Sequence, residues 1–355
     1  MDRVNAAIVG CGRISDLHEM GYRDRNDAAI VAVCDTNKRR ARKKADQWGV
    51  EKIYTDYDEL LADPQIDLVE LLTPHHLHAP MTIAACQAGK HVSVQKPMSL
   101  TAQEARRMIA EADRAGVLLR VYENFVHYPP IVKAKEILDA GEIGEPQMIR
   151  IHYNSGSRDS GWNVPLNAWV WRFDEERCGG GPIVFDHGYH LFSVALHLMG
   201  EVERVYAWID RSKIIPTKYV DAPATMMFQF KGDRRYGVMS YAHTPNIHID
   251  SAYYADDNRV EIVGDRGILL INRCTARMLE LPELMLHRDG KTTPVPVGRV
   301  EWHDSFIDCT RHFIDVLRHG GTPSLSGERG LEVMRFVLAA HISAREGIEI
   351  RPDEI

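Results

Sequence analysis

The sequence predicts an α/β protein of two domains, a doubly wound parallel sheet followed by an α+β domain with a large open, mostly antiparallel sheet. Three observations predict it. Short apolar runs alternate with helical stretches of ten to fifteen residues over the first third. The first of these runs ends in glycines that open a helix. From about residue 126 the pattern changes to a series of strands with visible polar/apolar alternation. Alternating strand and helix indicates βαβ units, and strands apolar almost throughout indicate a sheet covered on both faces.

In chain order, VNAAIVGCG (4–12) is a strand and ISDLHEMGYRDR (14–25) a helix. AAIVAVCD (28–35) is the next strand and NKRRARKKADQWG (37–49) a charged helix. KIYTDYDELLADPQ (52–65) leads to the strand IDLVELLTP (66–74), the helix HAPMTIAACQAGK (78–90) and the strand HVSVQKP (91–97). SLTAQEARRMIAEADRAG (99–116) has a helical period with Ser99 or Thr101 as its cap, and VLLRVYENF (117–125) closes a first domain of residues 1–125. In the second domain, 126–355, PPIVKAKEILDAGEIG (129–144) is a helix, EPQMIRIHYN (145–154) a strand and PIVFDHGYHLFSVALHLMG (182–200) an apolar helix. Strands follow at EVERVYAWID, ATMMFQFK, YGVMSYAHT, RVEIVG, GILLINR and ARMLELP, and two helices end the chain, at 304–320 and 327–347.

Bulk properties bound the function. The chain has 355 residues, too many for one typical core. Its net charge is −7 with no basic stripe, which speaks against nucleic acid as a partner. Six scattered cysteines without a CxxC pair read as reduced thiols. No apolar run is long enough for a membrane span, and the opening MDRVNAAIVGCG lacks a signal-peptide pattern. A cytoplasmic protein is the expectation.

GCGRIS (10–15) reads G-x-G-x-x-S after a strand and before a helix, with Asp35 ending the next strand about twenty residues on. In that context it is the fingerprint of a Rossmann dinucleotide-binding domain. Gly10 allows the tight turn, and Gly12 lets the backbone approach a pyrophosphate at the positive helix end. Arg13 and Ile14 complete the turn, and Ser15 is small enough for helix–strand packing. Asp35 can accept from both ribose hydroxyls, which favours NAD. Lys38, Arg39 and Arg40 cut the other way: they could neutralise a 2′-phosphate, keeping NADP open, or Arg40 could lie over the adenine. Lys43 and Lys44 read as a solvated helix face.

A nicotinamide cofactor moves hydride, so the protein must move the proton. Asp186 and His190, four apart in one helical run, point to one face. His190 is suited to proton exchange near neutrality and Asp186 to fixing its tautomer. Glycines 179–181 let the preceding loop pass close to another group, while His187 and His197 read as packing residues.

GCGRIS, Asp35, TPHHLH, QKPMSL, ENFVHYPP, WVWR and GGGPIVFDHGYH occur in the order expected of the glucose–fructose oxidoreductase / inositol dehydrogenase (Gfo/Idh/MocA) family, which the whole chain resembles. The resemblance implies a dinucleotide domain joined to an α/β domain whose open sheet often forms a homodimer or homotetramer interface. It puts the family's Glu-Lys-Pro motif on Gln95-Lys96-Pro97, making Lys96 a catalytic or substrate-orienting lysine. It puts the family's Asp-x-x-x-His pair on Asp186 and His190, with His190 the proton acceptor and Asp186 binding substrate or orienting His190. Family members mostly oxidise or reduce a secondary alcohol on a sugar, polyol or cyclitol. Gln95 departs from the usual glutamate, withdrawing a carboxylate from beside the lysine.

Other residues fit around these. Thr73 and Pro74 lie where a strand's carboxyl end meets a cofactor crevice; His75 and His78 are cofactor or water contacts, and no metal site is expected from this histidine run. Asn124 is placed to touch the nicotinamide amide or the substrate. Tyr153, Trp162, Trp169 and Trp171, with Arg158 and Arg172, crowd one irregular stretch, and aromatic faces with fork-shaped donors suit a polyhydroxylated ring. Tyr153, Trp162, Trp171 and Arg172 are the substrate candidates. The leading reading is an NAD(P)-dependent dehydrogenase of a sugar or cyclitol. Glycoside processing through tightly bound NAD and a non-catalytic cofactor-binding regulator are the alternatives, and the intact lysine and Asp/His pair speak against the regulator.

Overall fold

The computed structural model describes residues 2–157, 160–162, 166–215, 218–232 and 234–355. The chain divides into two compact units. The first holds Met1–Glu123, Glu176–Gly179 and Phe306–Met334; the second holds Asn124–Glu175, Gly180–Ser305 and Arg335–Ile355.

In the first unit, β1 (Val4–Val9), β2 (Ala28–Cys34), β3 (Lys52–Tyr54), β4 (Leu68–Leu71), β5 (His91–Gln95) and β6 (Leu119–Tyr122) pair in parallel. Their order is β3-β2-β1-β4-β5-β6. The order reverses between β1 and β4, and open α/β sheets bind ligands at that switch point, beyond the carboxyl ends of the strands. The helices are α1 (Ser15–Glu19), α2 (Lys38–Trp48), α3 (Tyr57–Leu61), α4 (His78–Gln87) and α5 (Ala102–Ala115). Local chemistry sets their ends. Asn37 caps α2 by accepting from Arg40 N, and Thr101 with Glu104 forms a capping box on α5.

Three expectations are corrected here. The first helix is only five residues, followed by a 3₁₀ turn at Met20–Tyr22. A Cβ on Gly21 would lie 2.3 Å from Thr310 Cβ, so this turn packs too closely to tolerate a side chain. Lys44 is buried, ion-paired to Asp16 and over the Trp48 ring; its methylene stem and a paired charge make burial tolerable. Residues 306–334, expected in the second domain, belong to the first. Phe313, Ile314 and Val316 share a core with Val4, Ala6, Tyr22, Ala28 and Leu68.

The second unit is built on an eight-stranded mixed sheet. Its strands are β7 (Pro146–Ser155), β8 (Val202–Ile209), β11 (Ala224–Phe230), β12 (Tyr236–His243), β13 (Asp256–Gly264), β14 (Gly267–Ile271), β15 (Leu284–Arg288) and β16 (Lys291–Pro294). A separate hairpin joins β9 (Ser212–Ile215) to β10 (Lys218–Val220). The large sheet runs β16-β15-β14-β13-β7-β12-β11-β8. Every neighbour in it is antiparallel except β7 and β12. Ile149, Ile151 and Tyr153 of β7 are buried while Arg150 between them is exposed, so the sheet buries one face. The stretch ARMLELP is not a strand; β15 and β16 form the last hairpin instead. Asp289 and Gly290, with φ of 53° and 74°, supply its tight turn, an Asp-Gly signal legible in the sequence.

Candidate active site

The first unit supplies the dinucleotide elements at the carboxyl ends of β1, β2 and β4. Gly10 has φ +99°, and a Cβ there would lie 2.4 Å from the Leu72 carbonyl oxygen, so only glycine fits. A Cβ on Gly12 would meet nothing within 4 Å; the backbone here is open to a close ligand. Ser15 is buried, and its hydroxyl donates to Gly12 O at 2.7 Å, closing the loop on itself. Arg13 is exposed and Ile14 half-buried. The Asp35 carboxylate accepts from Cys11 N at 3.0 Å and Asn37 N at 2.8 Å, with Arg40 Nη1 at 3.2 Å. Asp35 therefore braces the glycine loop from the end of β2. Burial, with Asp35 adding, pushes the Cys11 thiol up to about 12. The Thr73 hydroxyl is buried and makes no hydrogen bond among the described residues. A tight glycine turn, an open Gly12, an acid at the end of β2 and an unengaged hydroxyl at the end of β4 fit a dinucleotide.

Of the histidines after Thr73-Pro74, His78 is occupied otherwise than expected. His78 is buried, with Nδ1 2.7 Å from Pro97 O and Nε2 2.9 Å from Thr73 O. It ties the end of β4 to the end of β5, so its polar atoms serve the backbone rather than a ligand. His75 Nδ1 lies 2.8 Å from Cys178 O.

Gln95 is the last residue of β5, and the half-buried Lys96 follows through a cis Lys96–Pro97 peptide. Lys96 N donates to Gln95 Oε1 at 2.8 Å. Behind Gln95 lies a buried polar cluster absent from the sequence expectations. Gln95 Nε2 is 3.0 Å from His18 Nε2, and His18 Nδ1 is 2.6 Å from Glu70 Oε2. Tyr22 donates to Glu70 Oε1 at 2.6 Å, and Arg120 Nη2 lies 3.9 Å from the same oxygen. His18 and Glu70 are 0% exposed. Desolvation pushes Glu70 up, but His18, Arg120 and Tyr22 together hold it below the usual glutamate value. The signal was present: Glu70 and Arg120 are single charges inside otherwise apolar strands, and charges in such places need partners.

The second unit supplies the Asp186/His190 segment. Pro182–His187 forms a π-helical turn before the helix Tyr189–Met199. The expected regular helical spacing is thus interrupted, as it frequently is at functional sites. His190 is buried and stacks on Phe125 at 4.2 Å. His187, read from the sequence as a packing residue, lies 5.3 Å from the His190 ring and 3.0 Å from Asp256 Oδ2. Asp186 accepts from Arg172 Nε at 2.6 Å. The Arg172 guanidinium lies 4.4 Å from the Trp171 ring centre and 5.4 Å from that of Trp169, so the Trp171-Arg172 pair and Asp186 do come together.

Of the glycines before this segment, Gly181 passes close to Asp221. A Cβ on Gly181 (φ +146°) would lie 2.4 Å from Asp221 Cγ. The Asp221 carboxylate accepts from the Ile183, Val184 and Phe185 amides at 2.7, 2.8 and 2.9 Å. It satisfies the donors that begin every helical segment and places a negative charge at that end. Nothing in the local sequence marked Asp221.

Tyr153 is buried, its hydroxyl donating to Asp256 at 2.9 Å; this corrects its reading as a substrate contact, because a ring enclosed by the sheet and Tyr241 is not presented to a sugar. Trp162 is half-buried against Tyr253 and Tyr254. Asn124 is buried and donates to Ser305. Arg158 lies outside the described residues. Among the described residues no group of three or more His, Cys, Asp or Glu is arranged to hold a metal, and no helix is long and apolar enough to cross a membrane.

Comparison with known proteins carries these elements to a family. Residues 4–123 match the model of an oxidoreductase family with an NAD-binding Rossmann fold, and residues 131–270 match the GFO/IDH/MocA C-terminal domain. The chain is 32% identical to D-apiose dehydrogenase of Paraburkholderia graminis, covering 97% of this chain and 88% of that protein. It is 30% identical to myo-inositol 2-dehydrogenase of Thermotoga maritima, covering 98% of each. A levoglucosan dehydrogenase solved with NADH and levoglucosan shares the fold at TM-score 0.83 and 23% identity, over 98% of this chain and 99% of that one. The chain belongs to the Gfo/Idh/MocA family of oxidoreductases and carries that family's NAD-binding Rossmann fold.

Proposed function

We propose that this dehydrogenase interconverts a secondary alcohol and a ketone on a sugar or cyclitol. The observation that carries the proposal is full-length likeness to dehydrogenases of D-apiose and myo-inositol in a chain that retains Lys96, Asp186 and His190. Gly10, Gly12, Asp35 and Thr73 would hold NAD, which supplies the hydride acceptor or donor when bound. The Lys96 ammonium stabilises the developing alkoxide. His190, its ring face held by Phe125, takes the hydroxyl proton. Asp186, fixed by Arg172, orients the substrate, and the Trp171 ring and Arg172 fork bind its hydroxyls and apolar face.

The test is NADH fluorescence with the pentoses, inositols and anhydrosugars typified by the relatives' substrates, run with NAD and NADP in parallel. Turnover of at least one polyhydroxylated alcohol with NAD is expected; failure of all with both cofactors overturns the reading. We further propose a homo-oligomer formed through the open face of the large sheet. Trp208, Met227 and Tyr236 there are 56%, 49% and 46% exposed, and exposed apolar groups on neighbouring strands support a protein contact. Light scattering of Trp208→Lys/Met227→Lys should show dissociation; an unchanged mass overturns this.

A further inference from the structure

The cluster behind Gln95 has a fixed hydrogen-bond polarity. Lys96 N–H can only donate, so the Gln95 atom facing it at 2.8 Å is the carbonyl oxygen. The Gln95 NH₂ therefore faces His18, and it too can only donate. His18 Nε2 must accept and carries no hydrogen. The one hydrogen of a neutral ring is then on Nδ1, donated to Glu70, whose other oxygen accepts from Tyr22. Each donor along the chain from Lys96 N to Glu70 has its acceptor, which is the condition for a stable buried network.

The groups facing His18 agree with a neutral ring. Tyr122 lies 3.8 Å from it, Phe306 5.6 Å, and Arg120 sits over Tyr122 at 4.7 Å. Burial pushes the imidazole down, and Arg120 adds to this, against the opposing bond and charge of Glu70.

We propose that His18 is a positioning residue for Lys96, held as the neutral Nδ1-protonated tautomer between Glu70 and Gln95, and that the amide at position 95 keeps it neutral. The proposal deepens the functional reading and rests on it for the role of Lys96. The relay reaches across the sheet, from β4 through α1 to the end of β5, and fixes the backbone from which the lysine projects. A carboxylate at position 95 would present a second acceptor to Nε2 and call for a second proton on the ring.

The test is ¹⁵N-histidine NMR of the full chain, the His18 signal assigned by its through-space contacts to the Tyr122 ring 3.8 Å away. Expected is an Nδ1–H, unprotonated Nε2 pattern that does not titrate between about pH 6 and 9. In Gln95→Glu both nitrogens should be protonated over the same range. An Nε2–H pattern in the native chain, or an unchanged ring in Gln95→Glu, overturns the proposal, and both readouts hold whether or not His18→Phe folds. His18→Phe keeps a ring against Tyr122. There the Lys96 amide should exchange with solvent about tenfold faster while Val94 within β5 is unchanged, and turnover should fall about tenfold with NADH affinity within about twofold. An unchanged Lys96 amide, or equal acceleration at Val94, overturns the positioning role. If the tautomer and exchange results hold but no alcohol is turned over, it is the functional reading that fails.

Discussion

Asp221 offers the sharpest test of how the Asp186/His190 segment is held. Its carboxylate, 5% exposed, takes three amide hydrogens within 2.9 Å. A hydrogen bond to a charged group contributes about 1.5–3 kcal/mol, and a buried donor left unpaired costs about 1–3 kcal/mol. The three share one acceptor group, so their effects are less than additive, and Asp221→Ala should cost about 3–5 kcal/mol. At about 2–4 °C per kcal/mol for a unit of this size, the melting temperature should fall roughly 6–20 °C. Asp221→Asn, retaining one acceptor oxygen, should lie between the two. Turnover should fall while NADH affinity persists. Gly181→Ala should cost comparably, because its Cβ would strike Asp221 Cγ at 2.4 Å. In the Asp221→Ala background the Cγ and Oδ1 contacts go while the 2.8 Å contact with Cβ stays, so that penalty should shrink towards, but remain above, a backbone strain of about 1–3 kcal/mol. Scanning calorimetry of the four proteins measures the cycle. If Asp221→Ala melts within about 2 °C of the native chain, or the two changes add, the reasoning is refuted.

His190→Ala should lower turnover by about 10² or more with NADH binding retained; steady-state kinetics and fluorescence titration check both. Asp35→Ala should weaken NAD far more than NADP, and equal loss would assign cofactor choice to the basic residues of α2. Gly10→Ala should destabilise by about 1–3 kcal/mol or more, seen in the melt, because its Cβ meets the Leu72 carbonyl. The Lys52 ammonium holds Asp63 down to about 2, against burial and with help from the Gln65 amide and Tyr54 hydroxyl. A carboxylate depressed on folding adds stability above its unfolded value, and loses it as pH falls from about 4 towards 2. Lys52→Met should move the Asp63 ¹³C titration upward and flatten that acid loss; an unmoved titration would refute the assignment.

Much of the first unit was legible because the chemistry is local. Gly10 and Ser15 lie within one turn, Asp35 ends the next strand, and the Thr101/Glu104 cap lies within one helical turn. The site's supporting residues were not legible because their partners are distant in sequence. His18, Glu70, Gln95 and Arg120 come from four elements, and Asp221 acts on amides 36 to 38 residues away. The Asp186/His190 spacing was visible, but a period of 3.6 cannot foretell a π turn. Tyr153 looked like part of an aromatic loop, whereas it is an inward residue of β7, where alternation outweighs composition.

The placement of residues 306–334 in the first unit has a consequence for how this protein is made. Val4 and Leu68 are buried against Phe313 and Ile314, and Tyr122 and Val121 bond to the Phe306 and Leu325 carbonyls. The first strand leaves the ribosome about 300 residues before the segment that covers it, roughly 15–60 s at ordinary elongation rates. Throughout that interval the nascent sheet exposes the apolar patch that Phe313 and Ile314 later cover, and such surface is aggregation-prone. Residues 1–125 released alone would keep that patch permanently, so the portion that reads as a self-sufficient domain matures only once residues 306–334 have emerged.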